Sequence, residues 1–345
     1  MPIKRKPTEI DLQSIKDAFS GRKQILLLSH YNPDGDAIGS MLALYHYLLK
    51  KGHKVAMMVP NDFPDFLKWM KGSEEVMIYF HQQKRVTEFA NASDIIVSVD
   101  FNEPKRLKDA TQILENSKAL KILFDHHPNP HPSYSYKVFN TEVSATAELI
   151  FEYITAASDQ ALIDPVIAEC IFTGIMSDTG CFNHNSSTPE TYKLVSQLLE
   201  YEINKDNIFD NFYNNFSESR MRLMGYLLNE KMVVLPEYST AYITLTREEQ
   251  SRFHYAPGDT EGFVNLPFSI KGVQIAALFT QKKDHIRISF RSRGGIAINE
   301  TIAKHFDGGG HQYAAGGESY TDMDKAIKKF VQILAGIKSK IDAAN

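Results

Sequence analysis

Four short runs constrain the fold of this chain more than anything else in it: 24–29 (QILLLS), 54–60 (KVAMMVP), 94–100 (DIIVSVD) and 119–125 (ALKILFD). Each is too short for an ordinary helix and too evenly apolar for a strand with one wet face. Each therefore predicts a strand buried on both sides. Helical patterns fill the intervals, beginning with 37–51, which Gly52 stops, and continuing through 142–157 and 164–177. Strands alternating with helices predict an α/β fold with a parallel sheet covered on both faces.

The rhythm does not last to the end of the chain. Helical stretches run from Thr188 to about Glu230, the last of them, 217–230, reading as a connector. Leu235, Pro236 and Glu237 mark a break. Beyond it, 240–246 and 272–280 read as strands, and 284–293 (DHIRISFRSR) alternates. Ile286, Ile288 and Phe290 take one face, and Arg287, Ser289, Arg291 and Arg293 the other. Residues 297–306 and 322–340 read as helices. A chain of 345 residues suits two domains. The expected division is 1–215 for the parallel-sheet domain, 216–236 for a linker helix and 237–345 for a smaller α/β domain.

Several function classes are disfavoured. No apolar run approaches the roughly 18–20 residues of a membrane helix. The start, MPIKRKPTEIDLQS, has a basic tip with no apolar stretch behind it, which is not the pattern of a secretory signal. Two cysteines, Cys170 and Cys181, make no disulfide framework, so a reducing, cytoplasmic setting is expected. A net charge of −4 argues against a general nucleic-acid coat. The charge is uneven. From Lys231 onward 15 basic and 12 acidic residues give +3, whereas the first 230 residues give −7. An acidic front and a basic back suit a metal-holding domain followed by an anion-holding one.

Four acidic clusters share one structural address. His30, Asp34 and Asp36 follow the first strand. Asp100 ends the third, Asp125-His126-His127 ends the fourth, and Asp178 closes an apolar helical run. Groups just past the carboxyl ends of parallel strands converge on one crevice. Each cluster alone has an ordinary explanation: Pro-Asp-Gly is a turn signal, and an Asp after a strand is usually a helix cap. Together they predict a site. Crowded carboxylates repel unless cations intervene, and two divalent metals sharing one carboxylate would resolve the repulsion and clamp a phosphoryl group. Oxygen and imidazole ligands without thiolate favour manganese or a similar ion. Gly35 is expected to permit a tight backbone between Asp34 and Asp36. His46, His53, His81, His254, His285 and His305 do not share this address and are expected at the surface.

A second candidate site is Asp307-Gly308-Gly309-Gly310-His311, with Gly316 and Gly317 beyond it. Successive unhindered N–H groups make an anion nest, to which His311 could add a donor. No Lys-Ser/Thr follows and no strand leads directly in, so this is neither a Walker loop nor a dinucleotide fingerprint. Arg287, Arg291 and Arg293 on the alternating strand give it a basic neighbour.

With these residues in view, the sequence resembles the DHH phosphoesterase family with a DHH-associated C-terminal domain. It is most similar to the oligoribonuclease branch, the nanoRNase/pAp phosphatases, often called exopolyphosphatase-related. The motifs are HYNPDGDAIGS from His30, the Asp100 strand end, DHH at 125–127, SDTG around Asp178, FRS at 290–292 and GGGH at 308–311. The resemblance implies two Mn2+ ions, with Mg2+ or Co2+ as substitutes, and an active site in the cleft between the domains. His30 and Asp34 would hold one ion, Asp36, His126 and Asp178 the other, and Asp100 would bridge. His127 would contact the scissile phosphate, with Asp100 and Asp36 serving the chemistry. Arg291, Gly308, Gly309, Gly310 and His311 would grip the substrate's far end. The implied partners are short single-stranded RNA or DNA oligonucleotides or small phosphonucleotides, with no membrane and with a homodimer as an option.

Overall fold

A computed structural model describes residues 5–183, 186, 188–256, 258–310 and 312–343. It falls into two compact units, Met1–Asn215 and Phe216–Asn345.

The first unit is built on seven strands: β1 (Glu9–Ile10), β2 (Gln24–Leu28), β3 (Lys54–Val59), β4 (Val76–Ile78), β5 (Ile95–Val99), β6 (Leu120–Asp125) and β7 (Tyr136–Phe139). Their order is β1-β7-β6-β5-β2-β3-β4. All neighbours are parallel except β1 and β7. The four apolar runs are the central strands β2, β3, β5 and β6. The chain lays down β2, β3 and β4 in one direction, then returns to the other side of β2 for β5, β6 and β7. The order thus reverses between β2 and β5, and a crevice opens there past the strand ends.

The helices of this unit are α1 (Leu12–Ala18), α2 (Gly35–Lys50), α3 (Tyr79–Asn91), α4 (Thr111–Glu115), α5 (Thr146–Ala156), α6 (Pro165–Asp178), α7 (Pro189–Leu199) and α8 (Lys205–Tyr213). One sheet face, with Leu26, Leu28, Met58 and Ile96, packs on Val86 and Ala90 of α3 and on Ile113 and Leu114 of α4. On the other face lies α5, whose Tyr153 meets Phe124 of β6 edge-on at 5.3 Å. α5 starts later than the predicted 142–157, because Ala145 is still extended.

α2 and α6 pack closely because glycines face the contact. A Cβ at Gly39 would stand 2.6 Å from the Cys170 carbonyl oxygen. One at Gly174 would stand 2.6 Å from Ala147 Cβ and 2.9 Å from Asp36 Oδ1. Gly35 serves packing rather than backbone freedom, since its Cβ would meet Ser177 Oγ at 2.4 Å. His53 departs from the expected surface position. It is buried, its Nδ1 accepts from the Lys23 N–H at 3.2 Å, and its ring lies 5.8 Å from that of Phe19.

The second unit is a six-stranded sheet of β8 (Met232–Leu235), β9 (Thr240–Leu245), β10 (Ile275–Gln281), β11 (Ile286–Ser292), β12 (Gly309–Gly310) and β13 (Ala314–Ser319). The order is β12-β13-β11-β10-β9-β8, with only β9 and β10 parallel. Its helices are α9 (Glu218–Tyr226), α10 (Arg247–Arg252), α11 (Ile298–Thr301), α12 (Met323–Gly336) and α13 (Lys338–Ala343). Leu223 of α9 and Leu227 beyond it pack on Ile243, Ala276 and Leu278. On the opposite face Ile286, Ile288 and Phe290 of β11 pack with Ala326, Phe330 and Leu334 of α12. The predicted helix 297–306 is instead α11 followed by a 3-10 turn at Ala303–Phe306, and 322–340 is divided at Ile337.

The glycine contacts give a stability test. Gly39→Ala should lower stability by about 1–3 kcal/mol, because the Cβ meets backbone that cannot step aside. Gly336→Ala, where nothing lies within 4 Å, should be neutral or stabilising. Denaturant melts of the two variants check the contrast, and equal midpoints would contradict the packing argument.

Candidate active site

The four clusters singled out in the sequence come together past the ends of β2, β5 and β6, beside the point where the strand order reverses. His30 is two residues past β2, and Asp34 is the N-cap of α2. Asp34 Oδ1 accepts from the N–H groups of Asp36 at 3.1 Å and Ala37 at 3.0 Å. This cap starts the helix and puts Asp36 in its first turn. Asp100 directly follows β5 in a left-handed conformation, φ 63°, which non-glycine residues adopt chiefly where the surroundings demand it. Asp125 ends β6, with His126 and His127 beyond. Asp178 is the last residue of α6.

These residues form three overlapping groups: His30, Asp34 and Asp100; Asp36, His126 and Asp178; and Asp100, His126 and His127. Within each, one ligand atom per residue lies within 4.8 Å of the others. Asp100 faces both ways. Its Oδ2 is 3.4 Å from His30 Nε2, while Oδ1 is 3.6 Å from His126 Nε2 and 3.7 Å from His127 Nδ1. His126 Nε2 is also 3.7 Å from Asp178 Oδ2. His127 Nδ1 is 2.7 Å from Asp125 Oδ1, an arrangement that orients the ring.

Burial and crowding set the protonation of the site. Burial, then the carboxylates of Asp100 and Asp178, hold the Asp36 carboxyl well above its ordinary range. Burial also works against ionisation of Asp100, yet the hydrogen bond with His30 and the imidazoles of His127 and His126 outweigh it and draw its pKa down. Burial opposes a charge on His126, but Asp178, Asp100, Asp36 and Asp125 push its pKa up to about 9. Burial, then Asp100, raises Asp125, whose Oδ2 has no hydrogen-bond partner.

The donor set fits divalent cations. His30 Nδ1 sits 3.0 Å from the Tyr31 carbonyl oxygen, to which it can only donate. Its Nε2, 3.4 Å from Asp100 Oδ2, can meet that carboxylate only through a proton or a cation placed between them. Asp178 puts a carboxylate at the negative end of a helix, a position that favours positive charge nearby. All ligand atoms are oxygen or imidazole nitrogen, the set suited to manganese-like or magnesium-like ions.

Thr146 was not evident from the sequence. Its N–H donates to Asp36 Oδ2 at 2.6 Å and its Oγ1 to Asp100 Oδ1 at 2.8 Å. A Ser/Thr ahead of an apolar helix marks a helix start. Nothing in the sequence pairs it with carboxylates 110 and 46 residues away.

The second candidate site differs from the expected loop. Gly309 and Gly310 form the edge strand β12, paired with Gly316 and Ala315 of β13. Gly308 is needed because a Cβ there would meet the Gly316 carbonyl oxygen at 2.1 Å. Gly309 has nothing within 4 Å and is exposed. Arg291 is half-buried on β11 opposite Ala314, and its Nη1 donates to the Phe290 carbonyl at 3.0 Å. Arg293 lies beyond the end of β11, so the alternating face does not include it; its guanidinium sits 4.1 Å from the Phe268 ring centroid. His311 lies outside the described residues.

A doubly covered parallel sheet with this cluster at its switch point is the framework of a phosphoester hydrolase. The model of the DHH family, N-terminal domain, matches residues 24–175, and that of the DHHA1 domain matches 239–336. The chain belongs to the DHH phosphoesterase family. A solved exopolyphosphatase-related protein from Bacteroides fragilis is 42% identical, with a TM-score of 0.92 over 96% of this chain and 97% of that one. The bifunctional oligoribonuclease and PAP phosphatase NrnA of Bacillus subtilis is 26% identical over 299 residues, 86% of this chain and 90% of the relative. The Thermus thermophilus protein of the same name is 28% identical over 310 residues, 89% and 88% of the two chains.

The protonation pattern predicts how metal-free protein responds to pH. His126 holds its proton more tightly than the unfolded chain does. Its contribution to stability is full below about 6.5 and is lost as pH rises through about 9. Without metal, the melting temperature of the first unit should fall across that window. Saturating Mn2+ should flatten the fall, and its binding should release protons, read by calorimetry in two buffers of different ionisation enthalpy. Identical pH slopes with and without Mn2+ would contradict the assignment.

Proposed function

We propose that the chain hydrolyses short oligoribonucleotides to mononucleotides, and 3'-phosphoadenosine 5'-phosphate to AMP, with two divalent cations of which manganese fits best. The observation that carries this reading is the shared carboxylate Asp100, set between the group of His30 and Asp34 and the group of Asp36, His126 and Asp178. Those six side chains would hold the cations. A bound pair supplies Lewis acidity to the phosphoryl oxygens and to the attacking water. The substrate assignment is supported by two relatives named as bifunctional oligoribonuclease and PAP phosphatase.

The side chains then divide the work. Asp36 is fixed by the Thr146 and Ala147 N–H groups and by Ser40 Oγ, so its orientation is set before substrate arrives. His127, oriented by Asp125, contacts the scissile phosphate. In the second unit, Arg291 and the 308–311 segment with His311 grip a terminal nucleotide or phosphate. The open space at Gly309 supports this, since no packing demand accounts for a glycine there. A cytoplasmic setting accords with free Cys170 and Cys181. No helix among the described residues is long and apolar enough to cross a membrane.

A second reading, hydrolysis of pyrophosphate or polyphosphate, is favoured by the description of the Bacteroides fragilis protein as exopolyphosphatase-related. One kinetic series separates the two. Di- to pentanucleotides, 3'-phosphoadenosine 5'-phosphate, pyrophosphate and polyphosphate are compared with chelator and with added Mn2+. The proposal expects turnover of the nucleotides only, abolished by chelation and restored by Mn2+. Arg291→Ala should cost about tenfold to a few hundredfold in kcat/KM on dinucleotides, the loss of one charge-assisted contact. A small chromogenic phosphodiester should be cut nearly as fast as by the unaltered protein. Full activity in chelated protein, or preference for polyphosphate, would overturn the reading.

A further inference from the structure

Thr146 touches both halves of the carboxylate cluster. Its N–H holds Asp36, a member of the group with His126 and Asp178. Its hydroxyl holds Asp100, a member of the group with His30 and Asp34. Thr146 is fully buried, and Asp36 and Asp100 nearly so.

Its own position is fixed independently of the carboxylates. Glu148, one half-turn further along α5, is fully buried. It accepts from the Ser144 N–H at 3.0 Å and from Thr191 Oγ1 at 2.9 Å, and it pairs with Arg5. The first turn of α5 is thereby tied to α7 and to the segment before β1. The Thr146 hydroxyl is presented from a rigid support.

Asp100 needs such a support. The torsion that rotates a carboxylate about its last carbon–carbon bond is broad and nearly two-fold, so backbone geometry alone does not say which oxygen faces which way. A carboxylate can bridge two cations through one oxygen or through both, and Asp100 is turned for the second arrangement, with Oδ2 toward His30 and Oδ1 toward His126. The Thr146 hydroxyl donates to Oδ1 only, the oxygen on the His126 and His127 side, and so breaks that symmetry.

We propose that Thr146 is a positioning residue for the shared carboxylate: its hydroxyl sets the rotation of Asp100 so that Oδ2 serves the His30 group and Oδ1 the His126 group. The inference rests on the two-cation reading of the site. It separates two contributions of one residue. The N–H contact to Asp36 is a backbone one and survives replacement by valine, alanine or serine, whereas the contact to Asp100 needs a hydroxyl.

The test is Mn2+ titration of the metal-free full-length protein, followed by calorimetry and by the electron paramagnetic resonance of free Mn2+. Thr146→Val keeps the branched shape and removes the hydroxyl. It should keep the far-ultraviolet circular dichroism spectrum and lose about 10–100-fold in affinity for at least one Mn2+, the usual cost of removing a hydrogen bond behind a ligand. Thr146→Ser, which returns the hydroxyl without the methyl, should restore tight binding of two ions. If Thr146→Val does not fold, Thr146→Ala against Thr146→Ser gives the same comparison. Two ions bound with unaltered affinity by the hydroxyl-less variant would overturn the inference alone. Weak binding by Thr146→Ser would overturn it too, by assigning the effect to shape. Absence of Mn2+ binding by the unaltered protein would overturn the two-cation reading and this inference with it.

Discussion

Carboxylates that are buried together repel one another, and everything at the switch point of the first unit follows from that repulsion. Asp36, Asp100 and Asp178 are brought to within a few ångströms of common imidazoles. Asp36 resists ionising there, while the imidazoles of His30, His127 and His126 draw the Asp100 pKa down against its burial. Protons can relieve this frustration in part, as the raised affinity of His126 shows. Divalent cations relieve it more completely, because each brings two charges to the point where the lone pairs converge. A chain that retained such a cluster for stability alone would do better with apolar residues in the same volume.

The surrounding fold holds the charges together against their tendency to separate. α2 and α6 approach closely at Gly39 and Gly174, which brings Asp36 on one helix near Asp178 on the other. Asp34 caps α2 through Oδ1 and, in the same position, joins the His30 group. The first turn of α5 gives two N–H groups to Asp36 and a hydroxyl to Asp100. Secondary-structure ends are used twice here: the groups that begin or end an element also aim the side chains of the site.

Much of this was legible in the sequence because a buried parallel strand has a plain signature. The runs that became β2, β3, β5 and β6 are nearly all apolar, and a polar residue directly after one must lie at the strand end. Hence Asp100 after β5, Asp125 as the last residue of β6 and His30 beyond Ser29 could be placed from the sequence. The misses have physical causes. β13 is Ala-Ala-Gly-Gly-Glu-Ser, with little strand propensity, and it exists because β11 pairs with it. His53 has lysines at 51 and 54 for neighbours, and its burial comes from Phe19 and the Lys23 N–H, both distant in sequence. Arg293 continues the alternation of β11 on paper, but the strand stops at Ser292 and the guanidinium turns onto Phe268. Thr146 was invisible because its role lies wholly in long-range partners.

The central claim is that Asp100 is shared between two cation positions. Anomalous diffraction at the manganese edge, from crystals of the full chain grown with Mn2+, tests it most directly. The account predicts two peaks, one among His30, Asp34 and Asp100 and the other among Asp36, His126, Asp178 and Asp100, with one oxygen of Asp100 directed at each. A single peak, or two peaks of which Asp100 contacts only one, would contradict it.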